Sequence, residues 1–114
     1  MPERNYDFQA NVIFRFTGLS DDQAKNLKIQ IPSVRFGEHF KTKKITGLID
    51  LENPNILKDI KKFIDEYNIK ADAYDVFVSI FSENDTEIWN LPKIVNEAIK
   101  ATDCQIVFSF TSIT

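Results

Sequence analysis

The stretch YDVFVSIF, residues 74–81, decides the fold. In an extended chain successive side chains point to opposite sides, so this stretch has two faces. Both faces are apolar: one carries Tyr74, Val76, Val78 and Ile80, and the other carries Phe77 and Phe81. A strand that is apolar on both sides needs cover on both sides. The stretch therefore predicts an interior strand near the middle of a sheet, with both of its faces covered.

The segment DFQANVIFRFT, residues 7–17, predicts a second long strand. Its apolar side chains recur at every second position, as in a strand that buries one face only. Those on the buried face are Phe8, Ala10, Val12, Phe14 and Phe16, and the polar face carries Gln9, Asn11, Arg15 and Thr17. Gly18 is expected to end the strand.

Three segments have helical periodicity. Ser20 opens a capping box, which predicts a short helix over 21–28. Asn53-Pro54 has the form of an N-cap followed by proline in the first turn, and Asn68 can end the same helix in a left-handed cap. The third helix is predicted over 91–99 from its apolar stripe.

Shorter extended segments complete the order of elements. Residues 33–36 and 45–51 predict short strands, and residues 104–112 predict a last strand. Helices that alternate with strands in this way pack on an open sheet. The sequence therefore predicts a single domain over 1–114 of the α+β or α/β class. We expect a two-layer sandwich whose four- to five-stranded sheet is ferredoxin-like or related and carries two to three helices.

Composition and charge exclude several classes of function. The net charge is −3, and residues 50–114 carry 12 Asp/Glu against 6 Lys/Arg. An acidic balance disfavours nucleic-acid binding, which needs clustered Lys and Arg. The chain has one cysteine and no apolar run near the ~20 residues of a membrane span. A soluble protein of the reducing cytoplasm is the expectation.

Nucleophilic catalysis and metal binding have few candidates. Cys104 and His39 are the only thiol and imidazole in the chain. A structural zinc site needs about four ligands of this kind. Cys104 lies on the apolar side of a predicted strand, where cysteine packs as a small hydrophobe. We therefore predict no enzyme activity, no metal and no cofactor, with a Cys104–His39 dyad as the catalytic alternative.

Acidic residues around the stretch 74–81 form the candidate binding site. A solvated turn is the simplest interpretation of the segment SENDTE, residues 82–87, and an acidic contact surface for a basic protein is the functional one. A tryptophan next to this segment could anchor such an interface. The candidate protein-binding residues are Asp72, Asp75, Glu83, Asp85, Glu87 and Trp89.

The succession of elements also resembles a known family. A first strand at 11–16, a short helix at 20–27, a Pro32-Ser33 step and Gly37 are followed by an aliphatic strand and an amphipathic helix. A Leu-containing helix over 91–99 then leads into the terminal strand. This succession resembles a bacterial family of small domains of unknown function. Domains of this kind are frequently seen as immunity proteins beside bacterial toxins.

The resemblance and the acidic surface together suggest a function. We expect a non-enzymatic protein-binding domain, a bacterial immunity protein that neutralises a cognate toxin by stoichiometric binding. Its partner would be a basic protein, and a homodimer is possible. The alternative is a small-molecule-sensing or regulatory α/β domain of ferredoxin-like type, which requires a sizeable apolar pocket.

Overall fold

Strands and helices alternate along the chain. The computed structural model describes residues 8–38, 44–82 and 93–112. The strands within these ranges are β1 (Phe8–Leu19), β2 (Arg35–Glu38), β3 (Ile45–Asp50), β4 (Tyr74–Ser82) and β5 (Gln105–Ser112). The helices are α1 (Asp21–Gln30), α2 (Ile56–Tyr67) and α3 (Lys93–Thr102), and a 3-10 turn at Ala71–Ala73 precedes β4.

The strands form one mixed sheet in the order β2-β3-β1-β4-β5. The pairs β2–β3, β3–β1 and β1–β4 are antiparallel, and the pair β4–β5 is parallel. From β1 to β4 the elements follow the βαββαβ succession of ferredoxin-like folds. A crossover through α3 then adds β5 as a fifth strand. The predicted two-layer sandwich is confirmed, with five strands and three helices in the described residues.

All three helices pack on the same face of the sheet. Their buried side chains share one hydrophobic cluster with Phe14 and Phe16 of β1 and with Val76 and Val78 of β4. The prediction of an interior strand at 74–81 is confirmed, since β4 lies between β1 and β5. The expected cover on both faces is wrong for the described residues, because the helices leave the face of Phe77 open. The middle position of the sheet belongs to β1.

Aromatic side chains join the two layers. The ring of Phe16 lies 5.2 Å from that of Phe63 on α2 and 6.0 Å from that of Tyr74. Phe14 stacks on Tyr74 at 5.6 Å between ring centroids. The hydroxyl of Tyr74 donates to the carbonyl oxygen of Thr102 at 2.8 Å, so the one polar atom of this cluster is satisfied. These contacts bind β1, β4, α2 and α3 into one core.

Local sequence signals give most helix ends. The capping box at Ser20 is confirmed, with both of its hydrogen bonds present. Asn68 ends α2 in the predicted left-handed conformation, at φ 52°. The predicted N-cap at Asn53 is wrong, because α2 begins at Ile56. The Asn53 side chain instead accepts a hydrogen bond from the Asn55 N–H at 2.9 Å and closes the turn that leads into the helix.

Helix α3 ends at Thr102, three residues beyond the predicted end, and other boundaries also differ from the prediction. Gly18 does not end β1, because its positive φ of 80° lets the strand bulge and continue to the buried Leu19. Helix α1 runs to Gln30, just before Pro32 forbids a further turn. The strand predicted over 33–36 begins at Arg35, since residues 32 and 33 form a turn.

None of the helices in the described ranges is long and apolar enough to cross a bilayer.

Gly47 lies where β3 passes closest to α1. A Cβ at this position would approach Leu27 Cδ2 to 3.1 Å and Leu19 Cδ1 to 3.2 Å. We expect Gly47→Val to lower the free energy of unfolding by about 1–3 kcal/mol, because larger side chains overpack a filled core. Chemical denaturation monitored by circular dichroism measures this change.

Gly37 on β2 is the matched control, because a Cβ there meets no atom within 4 Å. Gly37→Val should change the free energy of unfolding by less than about 0.5 kcal/mol, as surface substitutions do. Equal losses in the two variants would contradict the close packing of α1 on β3.

Candidate functional site

The face of the sheet opposite the helices, which we name the open face, is the candidate functional site. No helix in the described part of the chain covers it. Cross-strand pairing places its side chains in rows that run across the strands. An ionic row contains Arg35, Leu48, Arg15, Asp75 and Gln105. An apolar row contains Ile13, Phe77 and Val107, with Asp50 at its β3 end, and a polar row contains Asn11, Ser79 and Ser109.

The apolar row lies at the centre of the open face. Ile13, Phe77 and Val107 occupy opposite positions on the neighbouring strands β1, β4 and β5, and all three are half-buried. A sheet with one wet face usually presents polar residues there. Three adjoining apolar side chains between a row of charges and a row of polar groups have the arrangement of a protein interface, which has an apolar centre and a polar rim.

Arg15 is held rigidly at the edge of the apolar row. Its Nε and Nη2 donate to the two carboxylate oxygens of Asp75, both at 2.8 Å. The guanidinium carbon also lies 4.5 Å from the ring centroid of Phe77, within cation–π range. The hydrogen bonds that Arg15 donates to Asp75 raise the pKa of Arg15, against a smaller opposing effect of burial. Asp75 and Phe77 therefore hold the planar guanidinium of Arg15 in one orientation.

The charges of the open face compensate each other. The Arg15 and Asp75 side chains are 29% and 16% exposed, so water screens this pair only in part. Arg35 Nη2 lies 3.0 Å from Asp50 Oδ1 in a second, more exposed pair. Two cations and two anions therefore cancel on this face. Any attraction that it offers to a partner comes from shape and apolar contact more than from net charge.

The structure describes two of the six candidate protein-binding residues. Asp75 lies on the open face, but its carboxylate is already bound by Arg15. Asp72 is exposed in the 3-10 turn before β4. Glu83, Asp85, Glu87 and Trp89 lie outside the described residues. Their segment begins after Ser82, which is about 23 Å along β4 from Asp75 at the usual rise of a strand. Of the six candidates, the structure places Asp72 and Asp75, both at the start of β4.

Cys104 is placed as the sequence predicts. It is 8% exposed and belongs to the hydrophobic cluster, and its Sγ lies 3.9 Å from the carbonyl oxygen of Ala98. Burial raises the pKa of the Cys104 thiol, so the reactive thiolate is disfavoured. His39, its proposed catalytic partner, lies outside the described residues.

A metal site and a ligand pocket are the alternatives to a protein-binding surface. Residues 8–38, 44–82 and 93–112 contain no group of three His, Cys, Asp or Glu side chains that could hold a metal ion. Two open grooves lie on the outside of the helix layer. One follows α2 between Gln30 and Ala101, and the other runs between α1 and Phe36 of β2. In the first groove Lys61 forms a salt bridge with Asp65 at 2.8 Å, and the Gln30 amide donates to a Glu66 carboxylate oxygen at 2.9 Å.

Sequence reasoning missed the open face. A signal was present in two of its strands, β1 and β5. Ile13 lies between Asn11 and Arg15 on the side of β1 predicted to be polar, and Val107 likewise interrupts the polar side of β5. Each is a single apolar residue in a polar series, which carries little weight alone. Only the cross-strand register shows that both exceptions adjoin the same residue, Phe77 of β4.

Comparison of the chain with protein-family models, with curated proteins and with solved structures finds no match.

The burial of Cys104 gives a direct chemical prediction. Because the thiol is buried and its pKa is raised, alkylation by iodoacetamide at pH 8 should be slow in the native protein. We expect the rate to be at least about a hundredfold lower than in denaturant, since reaction requires local opening of the fold. Intact mass measured over time gives both rates.

The same chain in denaturant is the control, because it carries the same thiol without the fold. Native alkylation at the denatured rate would contradict the burial of Cys104 and would reopen the catalytic alternative.

Proposed function

We propose that this chain is a non-enzymatic protein-binding domain of the immunity-protein type, which acts in the bacterial cytoplasm. It would neutralise a cognate toxin by covering it in a stoichiometric complex, and the open face would be its contact surface. The apolar row on the open face is the single observation that carries this proposal.

The apolar row supplies the driving force. Ile13, Phe77 and Val107 each keep part of their surface in water. Burial of apolar surface stabilises a complex by about 25 cal/mol per Å² removed from water. A partner that covers the row also covers the two flanking rows, whose Asn11, Ser79 and Ser109 can offer hydrogen bonds at the rim.

Arg15 supplies orientation. Arginine and aromatic residues are enriched at the centres of interfaces. The bidentate bond to Asp75 and the contact with Phe77 order the Arg15 side chain in the unbound protein. Less conformational entropy is then lost when a complex forms. The Nη1 group of Arg15 has no acceptor among the described residues and can donate to a carbonyl or carboxylate of the partner.

Net charge would raise the rate of association more than it would stabilise the complex. The open face is balanced, whereas the chain as a whole carries −3. The segment 83–87 contributes three carboxylates and Asp72 another. We propose that these residues attract a basic toxin at long range, which raises the association rate.

The experiment uses the product of the adjacent gene as the candidate toxin. Ile13→Lys places a charge in the centre of the apolar row, so we expect the dissociation constant of the complex to rise about a hundredfold. Isothermal titration calorimetry measures the affinity and the stoichiometry, and protection of growth on co-expression measures neutralisation.

Phe36→Lys is the matched control, since Phe36 is 41% exposed on β2 and belongs to the opposite face of the sheet. It should leave the affinity unchanged. Absence of any complex with the candidate toxin, together with absence of protection, would exclude the immunity function. Equal losses in both variants would exclude the open face as the contact surface.

The acidic segment is tested separately. Exchange of Glu83, Asp85 and Glu87 for lysine should slow association and flatten its dependence on salt, because screened long-range attraction is lost. Stopped-flow association rates at several ionic strengths measure this effect. An unchanged rate and salt slope would remove the segment from the proposal and leave the open face as its basis.

A further inference from the structure

Among the described strands, β5 forms one edge of the sheet. Its sequence QIVFSFTS, residues 105–112, contains no charged residue, no proline and no glycine. β5 pairs with β4 on one side, and no described strand pairs with it on the other. Exposed edges offer free backbone groups to other chains, and proteins usually blunt them with charges, proline or short length. The opposite edge β2, RFGE, is blunted in this way: it has four residues, two of them charged.

Two phenylalanines extend along this edge. Phe108 and Phe110 are 50% and 46% exposed. Their register partners on β4 are Val78 and Ile80, which are buried on the helix-covered face. Ile106, on the same side of β5, packs against the core. The apolar side chains on this side of β5 therefore extend beyond the part of the strand that the described helices cover.

We propose that β5 pairs with β5 of a second copy of this chain, antiparallel and about a twofold axis at Ser109. The axis stands perpendicular to the sheet, so each face of one copy continues into the same face of the other. The result is a continuous sheet of ten strands, with the helix layers of both copies on one side. The pairing uses the backbone edge of β5 and the rings of Phe108 and Phe110 on its helix side, whereas the toxin contact uses the open face, to which β5 contributes Val107 and Ser109.

This register makes the edge complementary to itself. With Ser109 opposite Ser109 of the second copy, Phe108 lies opposite Phe110 on both sides of the axis. Four half-exposed rings then form one cluster over the seam, and cross-strand aromatic pairs stabilise sheets. An axis at Phe108 would instead set Phe110 against Ile106, which the core already covers in part.

A second copy fits this edge for reasons of charge and geometry. A twofold interface brings the same patch against itself, so a patch with a net charge would repel its copy. β5 has no charged residue. The strand is eight residues long, about 26 Å, which gives an interface at the small end of the range for specific association. We therefore expect a dimer that dissociates on dilution.

Sedimentation velocity over a dilution series of the purified chain tests the pairing. We expect the mass to rise from 13.2 kDa towards twice that value with concentration. Phe108→Lys should raise the dissociation constant at least about tenfold, since it sets charges at the seam. Phe36→Lys is the matched control, because it makes the same exchange at a similarly exposed phenylalanine on the other edge strand, and it should leave the dimer intact.

Disulfide trapping tests the register. Directly opposite residues have Cβ atoms about 4.5–5.5 Å apart, close to the separation in a disulfide. Ser109→Cys should therefore form a covalent dimer on mild oxidation. Ser79→Cys should not, because Ser79 lies one strand further inside the same row, and two copies of it would be about 14 Å apart.

A chain that stays monomeric at all concentrations overturns the proposal. The β5 edge would then be solvated or would bind a different protein. Cross-linking of Ser79→Cys as readily as Ser109→Cys would overturn the register. Both measurements use the purified chain alone, so their failure leaves the immunity proposal untouched, and failure of the toxin-binding experiment leaves the dimer untouched.

Discussion

The contact of Phe16 with Phe63 and Tyr74 is the interaction on which the rest of the structure depends. Phe16 is fully buried in the middle strand, and its neighbours belong to α2 and to β4. Full burial of one such side chain stabilises the fold by about 1.5–3 kcal/mol. A slip of one residue in the register of β1 would expose Phe14 and Phe16 and would bury Arg15 in their place. The aromatic contact thus fixes the face of β1 that the helices cover.

The composition of the open face follows from which face of β1 the helices cover. Once the even positions of β1 face the helices, Asn11, Ile13 and Arg15 must face outward. The register with β4 then sets Ile13 beside Phe77 and Arg15 beside Asp75. The buried layer therefore determines the composition of the surface, and the apolar row and the ion pair arise from one register. Binding of a partner to the open face would therefore depend on the packing of the core, although the partner would not contact the core.

The two edges of the sheet differ for reasons of chain order. β2 is part of the βαββαβ succession, and its short charged sequence ends the sheet on that side. β5 is added after that succession by a parallel crossover through α3. The added strand brings Ile106 into the core and carries Phe108 and Phe110 beyond it. Within the described residues, the same strand thus contributes both to the core and to the exposed apolar surface of the sheet.

Sequence alone determined the features that depend on near neighbours along the chain. The period of two in β1, the capping box at Ser20 and the left-handed end of α2 at Asn68 each involve residues a few positions apart, and all three are present. The class of fold followed from their order. The start of α2 was misplaced because two turn geometries compete for the Asn53 side chain, and both are compatible with the sequence.

Only the tertiary structure decided which faces and edges stay uncovered. Arg15 and Asp75 are 60 residues apart, and nothing local relates them. Phe77 could be assigned to the outer side of its strand, but whether a second layer would cover that side was a question of long-range packing. The position of β5 at an edge likewise followed from pairing across the sheet. Periodicity tells which residues share a face. Strand order and helix placement, which depend on contacts between distant segments, decide what that face meets.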